Sequence, residues 1–333
     1  MIINVDTYDI IIENGVLSKL PEMISDVYPY DKVYIVTDQT VYDLYYEKLE
    51  EILTDFESIY VKVDPGETSK SIPIYEKVVK ELIAKGIKRN HLLIAFGGGV
   101  VGDLTGFIAG TLYRGLPFIQ IPTTLLAMVD SSIGGKTGID IKEGKNLLGV
   151  FKNPLKVVID PEILQTLPKN EYKNGLAEVL KAGLIANPSL YEYLKTNDVL
   201  TEKEIIDAIE VKRKIVLEDP FEKNTRMLLN FGHTFGHAIE RFYDYAIKHG
   251  IAISYGMLIA LEEGEKRGIT RSGLFEEVKS VLLRLELIKE PILKKELFLP
   301  LISTDKKQMV DGLRFVMLKD IGEPEIIKGL KFR

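Results

Sequence analysis

Cysteine is absent from this 333-residue sequence, and its absence removes several chemistries at once. Disulfide bonds, thiolate zinc sites, iron–sulfur clusters and cysteine nucleophiles are excluded, and the composition fits a reducing compartment. A basic excess is also missing, because 43 Lys and Arg stand against 49 Asp and Glu, a formal net charge of −6. Nucleic-acid-binding proteins usually carry a basic field, so we expect no nucleic-acid partner. A local basic pocket for a phosphorylated metabolite stays open.

Long uninterrupted apolar runs are missing as well. Residues 92–135 form the most apolar region, but charged residues and prolines interrupt it too often for a membrane span. The first residues, MIINVDTYDIIIENG, carry acidic side chains and no basic flank, unlike a secretory signal peptide. We therefore expect a cytoplasmic protein that does not associate with a membrane.

The length that is present suggests about two domains. Strand-type runs alternate with helical patterns in the first half, which is typical of a mainly parallel, Rossmann-like sheet. The strand-type runs are residues 31–37, 58–63, 91–96 and 116–122, and the helical patterns are 41–53 and 71–85. Beyond Pro161 helical patterns dominate, at 171–185, 201–218, 225–243, 250–267 and 273–287, before a strand-type run at 314–318.

We predict an α/β domain over residues 1–160 and a mainly α-helical domain over residues 161–333. The default position for an active site in such an arrangement is the cleft between the two domains.

The segment Gly97-Gly-Gly-Val-Val-Gly102 has the G-x-G-x-x-G spacing, between a strand-type run and a helical pattern. Glycines let the backbone approach a pyrophosphate, and a helix N-terminus offers free N–H donors. The acidic residue expected about 20 positions onward is missing, so this is no standard Rossmann fingerprint. We interpret the segment as a nucleotide-phosphate loop, and the alternative is a tight strand-to-helix turn.

Two further polar segments follow. Thr123 and Thr124 come after the next strand-type run, where their hydroxyls either cap a helix or bind a ligand. The segment from Asp130 to Asn146 combines glycines with Lys136 and Lys145, a poor composition for a helix or a strand. It resembles a phosphate or carboxylate cradle, and the alternative is a solvated hairpin with scattered lysines.

Three of the four histidines, His233, His237 and His249, lie within 17 residues. His233 and His237 are four apart on a predicted helix, a spacing that suits joint metal ligation. Glu178 on an earlier helical pattern offers a carboxylate, and Lys181 lies about one turn after it. The alternatives are histidines satisfied within a helical domain and basic residues on a solvated face.

Several motifs, taken in order, resemble the 3-dehydroquinate synthase family. The match extends over most of the chain, from Pro65 to Lys307. Its motifs are Pro65-Gly-Glu67, Gly97 to Asp103, Pro122-Thr-Thr124, Asp130-Ser-Ser-Ile-Gly-Gly-Lys136, Lys145-Asn146, Asn174-Gly-Leu-Ala-Glu178, Asn230-Phe-Gly-His-Thr-Phe-Gly-His237 and Asp305-Lys-Lys307.

The resemblance implies a homodimeric, NAD-dependent and metal-dependent lyase of the shikimate pathway. It would convert 3-deoxy-D-arabino-heptulosonate 7-phosphate, a phosphorylated sugar acid, to 3-dehydroquinate and phosphate. The implied sequence is transient oxidation by NAD, β-elimination of phosphate, re-reduction and intramolecular aldol closure. The implied metal is a single zinc or cobalt ion acting as a Lewis acid.

The resemblance also implies a role for particular residues. The metal ligands would be Glu178, His233 and His249, which makes His237 a substrate-side group. NAD contacts are implied for Asp38, Glu67, Lys70, Gly98, Gly99, Val100, Val101, Gly102, Asp103, Thr123, Thr124, Lys136, Lys145, Ile163, Leu164, Gln165 and Thr166. Substrate or catalytic contacts are implied for Arg114, Asp130, Lys136, Asn146, Lys181, Lys212, Arg226, Asn230, His237 and Lys306.

Two positions depart from the family pattern. The chain reads His249-Gly-Ile251 where the family commonly has His-Gly-Glu, and it has Asn224 where glycine is frequent. The competing functions are another sugar-phosphate cyclase, or a metal-dependent NAD polyol or glycerol-phosphate dehydrogenase, which would accumulate NADH. A metabolite-binding protein without activity is the third class.

Overall fold

The structure, a computed structural model, describes residues 1–305, 314–330 and 332. It divides into two compact units, Met1–Leu167 and Pro168–Arg333, here called unit 1 and unit 2.

The division falls somewhat later than the boundary predicted at residue 160. The reason is the short 3-10 helix Pro161–Thr166, which is tied to unit 1. The Tyr45 hydroxyl lies 2.6 Å from Thr166 Oγ1, within hydrogen-bond distance. The helix therefore belongs with the residues that precede it.

Unit 1 is an α/β unit. Its strands are β1 (Ile2–Val5), β2 (Tyr8–Ile12), β3 (Lys32–Asp38), β4 (Glu57–Val63), β5 (Leu92–Gly97), β6 (Phe118–Pro122), β7 (Lys136–Ile141), β8 (Gly144–Phe151) and β9 (Lys156–Ile159). Its α-helices are α1 (Leu20–Ser25), α2 (Gln39–Ile52), α3 (Ile72–Ala84) and α4 (Gly99–Thr111). Short 3-10 helices span Val16–Lys19, Glu67–Ser69 and Leu112–Arg114, and a π-helical turn spans Ala127–Ser131.

Seven strands form one sheet in the order β1-β2-β9-β6-β5-β3-β4. All neighbouring pairs are parallel except β1 with β2. From β3 the chain forms β4 on one side and then crosses to β5 on the other side. This reversal is a topological switch point, where open α/β sheets bind ligands beyond the carboxyl ends of their strands.

The centre of this sheet is apolar on both faces. β5 and β6 are buried along their whole length, as their nearly continuous apolar sequences predict. Helix α4 packs on them with Leu104 and Ile108, both fully buried. The glycine-rich turn between β5 and α4 is thereby fixed at the carboxyl edge of the sheet.

The segment from Asp130 to Asn146 has a composition poor for a helix or a strand, but its second part enters a hairpin, which was the alternative interpretation of this segment. β7 and β8 pair as an antiparallel hairpin with Gly138 opposite Gly149. A Cβ on Gly138 would lie 2.7 Å from Leu148 O, so the two glycines let the strands approach each other. A composition poor in strand formers is therefore compatible with this ladder.

Unit 2 is mainly helical, as predicted. Its α-helices are α5 (Lys169–Ala186), α6 (Pro188–Leu194), α7 (Glu202–Glu218), α8 (His233–Phe242), α9 (His249–Lys266), α10 (Leu274–Arg284) and α11 (Leu299–Asp305). Its strands β10 (Arg314–Leu318) and β11 (Pro324–Lys328) form an antiparallel pair. Short 3-10 helices span Thr225–Asn230 and Lys295–Leu297.

The helix predicted over 225–243 begins later than its periodicity suggests. Thr225–Asn230 is a 3-10 helix, and α8 starts only at His233, because Gly232 precedes it in the left-handed conformation with φ +80°. The same break places His233 at the first position of α8.

Helices α8 and α9 approach each other through glycines. A Cβ on Gly256 of α9 would overlap Gly232 O, and a Cβ on Gly236 of α8 would overlap Ile253. No side chain therefore separates the two backbones at these points.

Among the residues described, none of the helices combines the length and apolarity needed to cross a bilayer.

Candidate functional site

Three side chains from three helices of unit 2 converge on one point. Glu178 Oε1, from the middle of α5, lies 3.6 Å from His233 Nε2 and 3.4 Å from His249 Nε2. The two histidines are the first residues of α8 and α9. Glu178 is almost fully buried, and neither of its carboxylate oxygens has a hydrogen-bond partner of good geometry among the described residues.

This donor set fits a divalent metal ion. Bonds of about 2.0–2.2 Å in a tetrahedral site put neighbouring donor atoms about 3.3–3.6 Å apart. The separations of 3.4 and 3.6 Å about Glu178 Oε1 match that range. Two imidazoles and one carboxylate are also a known catalytic zinc set, which leaves a position open for substrate.

Burial and the charges around Glu178 shift the pKa values of the three groups in different directions. Burial alone would raise the pKa of Glu178, but Lys181 and the two imidazoles outweigh it and hold the pKa well below its usual value. Burial and Lys181 lower the pKa of His233 well below its usual value. Partial burial would lower the pKa of His249, but Glu178 and Glu240 outweigh it and raise the pKa to about 9.

Each imidazole has a second polar neighbour on its other nitrogen. His233 Nδ1 lies 3.2 Å from the Phe231 carbonyl oxygen, and His249 Nδ1 lies 3.5 Å from Glu240 Oε2. When each ring is neutral with its proton on Nδ1, the Nε2 lone pair faces Glu178, which is the tautomer that a metal requires. Sequence reasoning did not single out Glu240.

His237 lies beside this set without entering it. Its ring centroid is 5.3 Å from that of His233 and 6.1 Å from that of His249, and its side chain is exposed. His237 could instead combine with Glu240 and His249 as a second possible ligand group. The pairing of His233 with His237 suggested by their spacing is not among the groups that the described residues form.

Lys181 is the buried cation next to Glu178. Its Nζ forms an ion pair with Glu178 Oε2 and donates a hydrogen bond of 2.7 Å to the Leu229 carbonyl. Lys212 lies half-buried on α7. Lys306 lies outside the described residues.

Arg226 and Asn230 lie in the 3-10 helix before α8. Arg226 is buried, and its NH1 donates to Pro220 O at 2.6 Å. Asn230 Nδ2 donates to Glu222 Oε1 at 2.8 Å. Sequence reasoning missed Glu222, because its contact depends on a left-handed backbone, φ +56°, that no motif indicated.

The second set of predicted residues surrounds the switch point of unit 1. Asp38 ends β3, and its carboxylate accepts a hydrogen bond from the Val41 N–H as the N-cap of α2. Burial raises the pKa of Asp38. Gly98 follows β5 as the N-cap of α4, and the Gly102 N–H already donates to Gly98 O, so the N–H groups of residues 99–101 are the ones that the helix start offers to a phosphate.

The two threonines after β6 have different environments. Thr124 Oγ1 accepts a hydrogen bond from the Ala127 N–H, as a helix cap would. Thr123 Oγ1 is buried and has no hydrogen-bond partner among the described residues. A buried hydroxyl without a hydrogen-bond partner is destabilising unless a ligand provides one. Thr124 therefore serves as the helix cap, and Thr123 is the candidate for the ligand contact.

Charged residues predicted to contact NAD gather into one cluster. Lys70 Nζ lies 2.7 Å from Asp103 Oδ2 and 3.9 Å from Glu67, and Lys145 Nζ lies 3.6 Å from Glu67. Burial disfavours the charge on Lys70, but the carboxylates outweigh it and raise its pKa. Asp140, not predicted as a site residue, accepts the Asn146 N–H at 2.7 Å and fixes the start of β8.

The remaining predicted residues are more scattered. Ile163, Leu164, Gln165 and Thr166 lie in the 3-10 helix that ends unit 1, where Ile163 is buried. Asp130 lies in the π-helical turn, and Lys136 is exposed at the start of β7.

Arg114 stands apart from the glycine turn. It is exposed between α4 and β6, at the amino edge of the sheet, in the left-handed conformation with φ +67°. Its predicted substrate contact stays a prediction.

Family models cover most of the chain. The model described as the N-terminal part of 3-dehydroquinate synthase matches residues 60–174, and the model of its C-terminal part matches residues 175–308. A 3-dehydroquinate synthase of Clostridium botulinum is 40% identical over 331 residues, covering 95% of this chain and 93% of the relative.

Solved structures with other names share the whole fold. ValA, a 2-epi-5-epi-valiolone synthase from Streptomyces hygroscopicus subsp. jinggangensis with NAD+ and Zn2+ bound, has a TM-score of 0.89 at 26% identity. The similarity covers 99% of this chain and 94% of ValA. A 2-deoxy-scyllo-inosose synthase complexed with carbaglucose-6-phosphate, NAD+ and Co2+ has a TM-score of 0.87 at 25% identity, covering 98% and 94% of the two chains.

Proposed function

Because the chain belongs to the 3-dehydroquinate synthase family, we propose that Glu178, His233 and His249 hold its catalytic metal ion and that the turn after β5 holds its NAD. The protein is a lyase of the shikimate pathway. It converts 3-deoxy-D-arabino-heptulosonate 7-phosphate to 3-dehydroquinate and phosphate. Its cofactors are NAD and one divalent metal ion, zinc or cobalt.

The residues around these cofactors bind and orient. When bound, NAD supplies reversible hydride transfer and the metal ion supplies Lewis acidity toward a substrate alcohol. In unit 1, the Thr123 hydroxyl and the N–H groups at the start of α4 would donate hydrogen bonds to oxygen atoms of NAD. The charged side chains of Glu67, Lys70 and Asp103 would determine the electrostatic potential at the proposed NAD site.

The substrate is an anion at both its carboxylate and its phosphate. Lys136 and Asn146 in unit 1, and Lys181, Lys212 and Arg226 in unit 2, supply the charge-assisted hydrogen bonds that such groups favour. These fixed cations would also stabilise the negative charge that develops on the phosphate group as its bond to carbon breaks.

Three further polar groups would act on the substrate. Asp130 and Asn230 would orient the substrate hydroxyls. His237 is exposed beside His233 and outside the ligand set, so its imidazole is available to hold or move a proton on the substrate. Arg114 and Lys306 complete the substrate contacts that the family resemblance suggests.

Assembly and location form the finer part of the proposal. We propose a homodimer, as the family resemblance implies, and a cytoplasmic location, since NAD and phosphorylated sugar acids are metabolites held inside cells. We also propose that unit 1 is the NAD-binding domain and that unit 2 is the metal- and substrate-binding domain.

The spacing of Glu178, His233 and His249 is the observation that supports the metal-dependent reaction. A metabolite-binding protein has no need of a buried carboxylate whose Oε1 lies 3.4 and 3.6 Å from two imidazole nitrogens. The identity of 40% to a 3-dehydroquinate synthase, against 25–26% to cyclases with other names, favours this substrate over theirs.

The test is an incubation of the full chain with the heptulosonate phosphate, NAD and Co2+. We expect phosphate and dehydroquinate to appear in equal amounts while NADH absorbance stays at baseline, because each turnover returns the hydride. Stoichiometric NADH would support the dehydrogenase alternative. Turnover of glucose 6-phosphate in place of the heptulosonate phosphate would support a different cyclase.

A further inference from the structure

Glu240 is a buried carboxylate that was not among the predicted site residues. It lies on α8, seven residues after His233, so the two residues share a face of the helix. Its side chain is 4% exposed, and its Oε2 lies 3.5 Å from His249 Nδ1. A carboxylate at this depth is costly unless it is paired.

His249 lies between two carboxylates. Its Nε2 faces Glu178 Oε1 at 3.4 Å, and its Nδ1 faces Glu240 Oε2 at 3.5 Å. Since α9 begins at His249, the ring is attached to the end of a helix and gains little orientation from neighbouring turns. The two oxygens therefore fix the plane of the ring, and with a metal ion at Nε2 the remaining proton stays on Nδ1, facing Glu240.

His233 shows the same arrangement with a different partner. Its Nδ1 faces the Phe231 carbonyl, while its Nε2 faces Glu178. A carbonyl only accepts, so it requires the proton on Nδ1. The side chain of Glu240 would accept the Nδ1 proton of His249, as the Phe231 carbonyl oxygen accepts that of His233.

We propose that Glu240 is a positioning residue of the metal site, which accepts the Nδ1 proton of His249 and presents Nε2 to the ion. This inference rests on the proposed metal-binding role of Glu178, His233 and His249. Partners of this kind orient a ligating histidine and increase its basicity, and their loss typically costs 10–100-fold in metal affinity.

Glu240 has a second set of neighbours that suggests an alternative role. His237, Glu240 and His249 also bring donor atoms within 4.8 Å, so Glu240 could itself be a ligand in an alternative site. That site would use Nδ1 of His249 and the exposed His237. It makes the opposite prediction for His237→Ala, which would lose the ion.

The experiment measures Co2+ affinity of the metal-free protein by chelator competition, together with the visible spectrum of bound Co2+. The variants are Glu240→Ala, which removes the acceptor, and Glu240→Gln, which keeps the shape and a weaker acceptor. Glu263→Gln is the matched control, because Glu263 is a buried carboxylate of α9 that pairs with Lys295.

We expect Glu240→Ala to weaken Co2+ binding about 10–100-fold and Glu240→Gln to weaken it less, both with one ion at saturation. Glu263→Gln should lower thermal stability without changing Co2+ affinity. If Glu240→Ala fails to fold, Glu240→Gln must still weaken binding relative to Glu263→Gln.

Two results would overturn the inference. One is unchanged Co2+ affinity in both Glu240 variants. The other is loss of the ion from both Glu240→Ala and His237→Ala, which would make Glu240 a ligand. The proposed metal site fails separately, if His233→Ala binds Co2+ as tightly as the unmodified chain.

Discussion

Asn174 Oδ1 accepts a hydrogen bond of 2.6 Å from the backbone N–H of Gly250. Asn174 lies one turn before Glu178 on α5, and Gly250 directly follows His249 on α9. One buried hydrogen bond thus fixes the distance between two of the proposed ligands. A Cβ on Gly250 would overlap Asn174 O, so the contact also requires glycine.

Gly250→Ala should therefore disturb both stability and metal binding. The added methyl group must push α9 away from α5, and overpacking of this kind costs about 1–3 kcal/mol. We expect a lower free energy of unfolding in urea and weaker Co2+ binding. Gly144→Ala is the control, since its Cβ would meet only the flexible side chain of Leu147 at 3.2 Å. Wild-type Co2+ affinity in Gly250→Ala would mean that the contact does not position His249.

The three clustered histidines should separate by role. His233→Ala and His249→Ala should lose the ion on dialysis and lose activity. His237→Ala should keep near-stoichiometric metal yet turn over about 10²–10⁴-fold more slowly, as expected for a group that handles protons. Metal analysis of the purified variants decides the matter. A metal-free His237 variant beside a loaded His249 variant would reverse our assignment.

Lys136→Ala should reduce kcat/KM with the fold retained. A hydrogen bond to a charged group contributes about 1.5–3 kcal/mol, which corresponds to about 10–150-fold. Lys142→Ala removes an exposed lysine from the turn of the same hairpin and should leave kcat/KM unchanged. Equal kinetics for the two variants would make Lys136 a solvated surface residue.

Thr123→Val should weaken NAD binding without loss of stability. The hydroxyl has no partner among the described residues, so removing it costs the free protein nothing, whereas a neutral hydrogen bond to NAD contributes about 0.5–1.5 kcal/mol. Thr105→Val is the matched control, because Thr105 Oγ1 on α4 is also buried without a described partner. Titration of NAD by calorimetry compares them. The same loss of affinity in both variants would argue against a specific contact.

Asp219 should make the segment before Arg226 sensitive to acid. Its carboxylate accepts the backbone N–H groups of Lys223, Asn224 and Arg226. Burial would raise the pKa of Asp219, but these donors outweigh it and lower the pKa. A lowered pKa gives stability that is complete above the unfolded value, about 3.9, and is lost as pH falls toward the folded value.

The comparison is between Asp219→Asn and the unmodified chain. Between about pH 5 and about pH 3 the free energy of unfolding should fall more steeply for the unmodified chain. Asp198→Asn, at an exposed position, is the control and should follow the unmodified chain. Parallel curves for all three proteins would contradict the prediction.

The sequence predicted the central strands of the sheet and the longer helices of unit 2 because their signals are local, but it did not predict the short helices α6 and α11. β5 is a continuous apolar run, and α7 has helical periodicity throughout. β2 and β9 went unpredicted because they are short and pair with each other from opposite ends of unit 1. The start of α8 was wrong because a 3-10 helix carries nearly the same apolar spacing.

The proposed metal site is a second case in which local sequence patterns were insufficient. Spacing along one helix suggested His233 with His237, since residues four apart share a face. The donor atoms that converge in the structure come from three helices, and the contribution of His249 depends on how α9 packs. The family resemblance suggested the three residues, but it did not indicate Glu240, whose contact with His249 appears only in three dimensions.

The glycine contact between α8 and α9 restricts how this chain can diverge. Any other residue at 232 or 256 would force the helix backbones apart and carry His233 away from His249. The two histidines can move apart only as far as bonds to one metal ion allow. Substitution of these glycines should therefore be tolerated as poorly as substitution of the proposed ligands. In a random-mutagenesis library, positions 232 and 256 should therefore appear as essential although neither presents a side chain to a reactant.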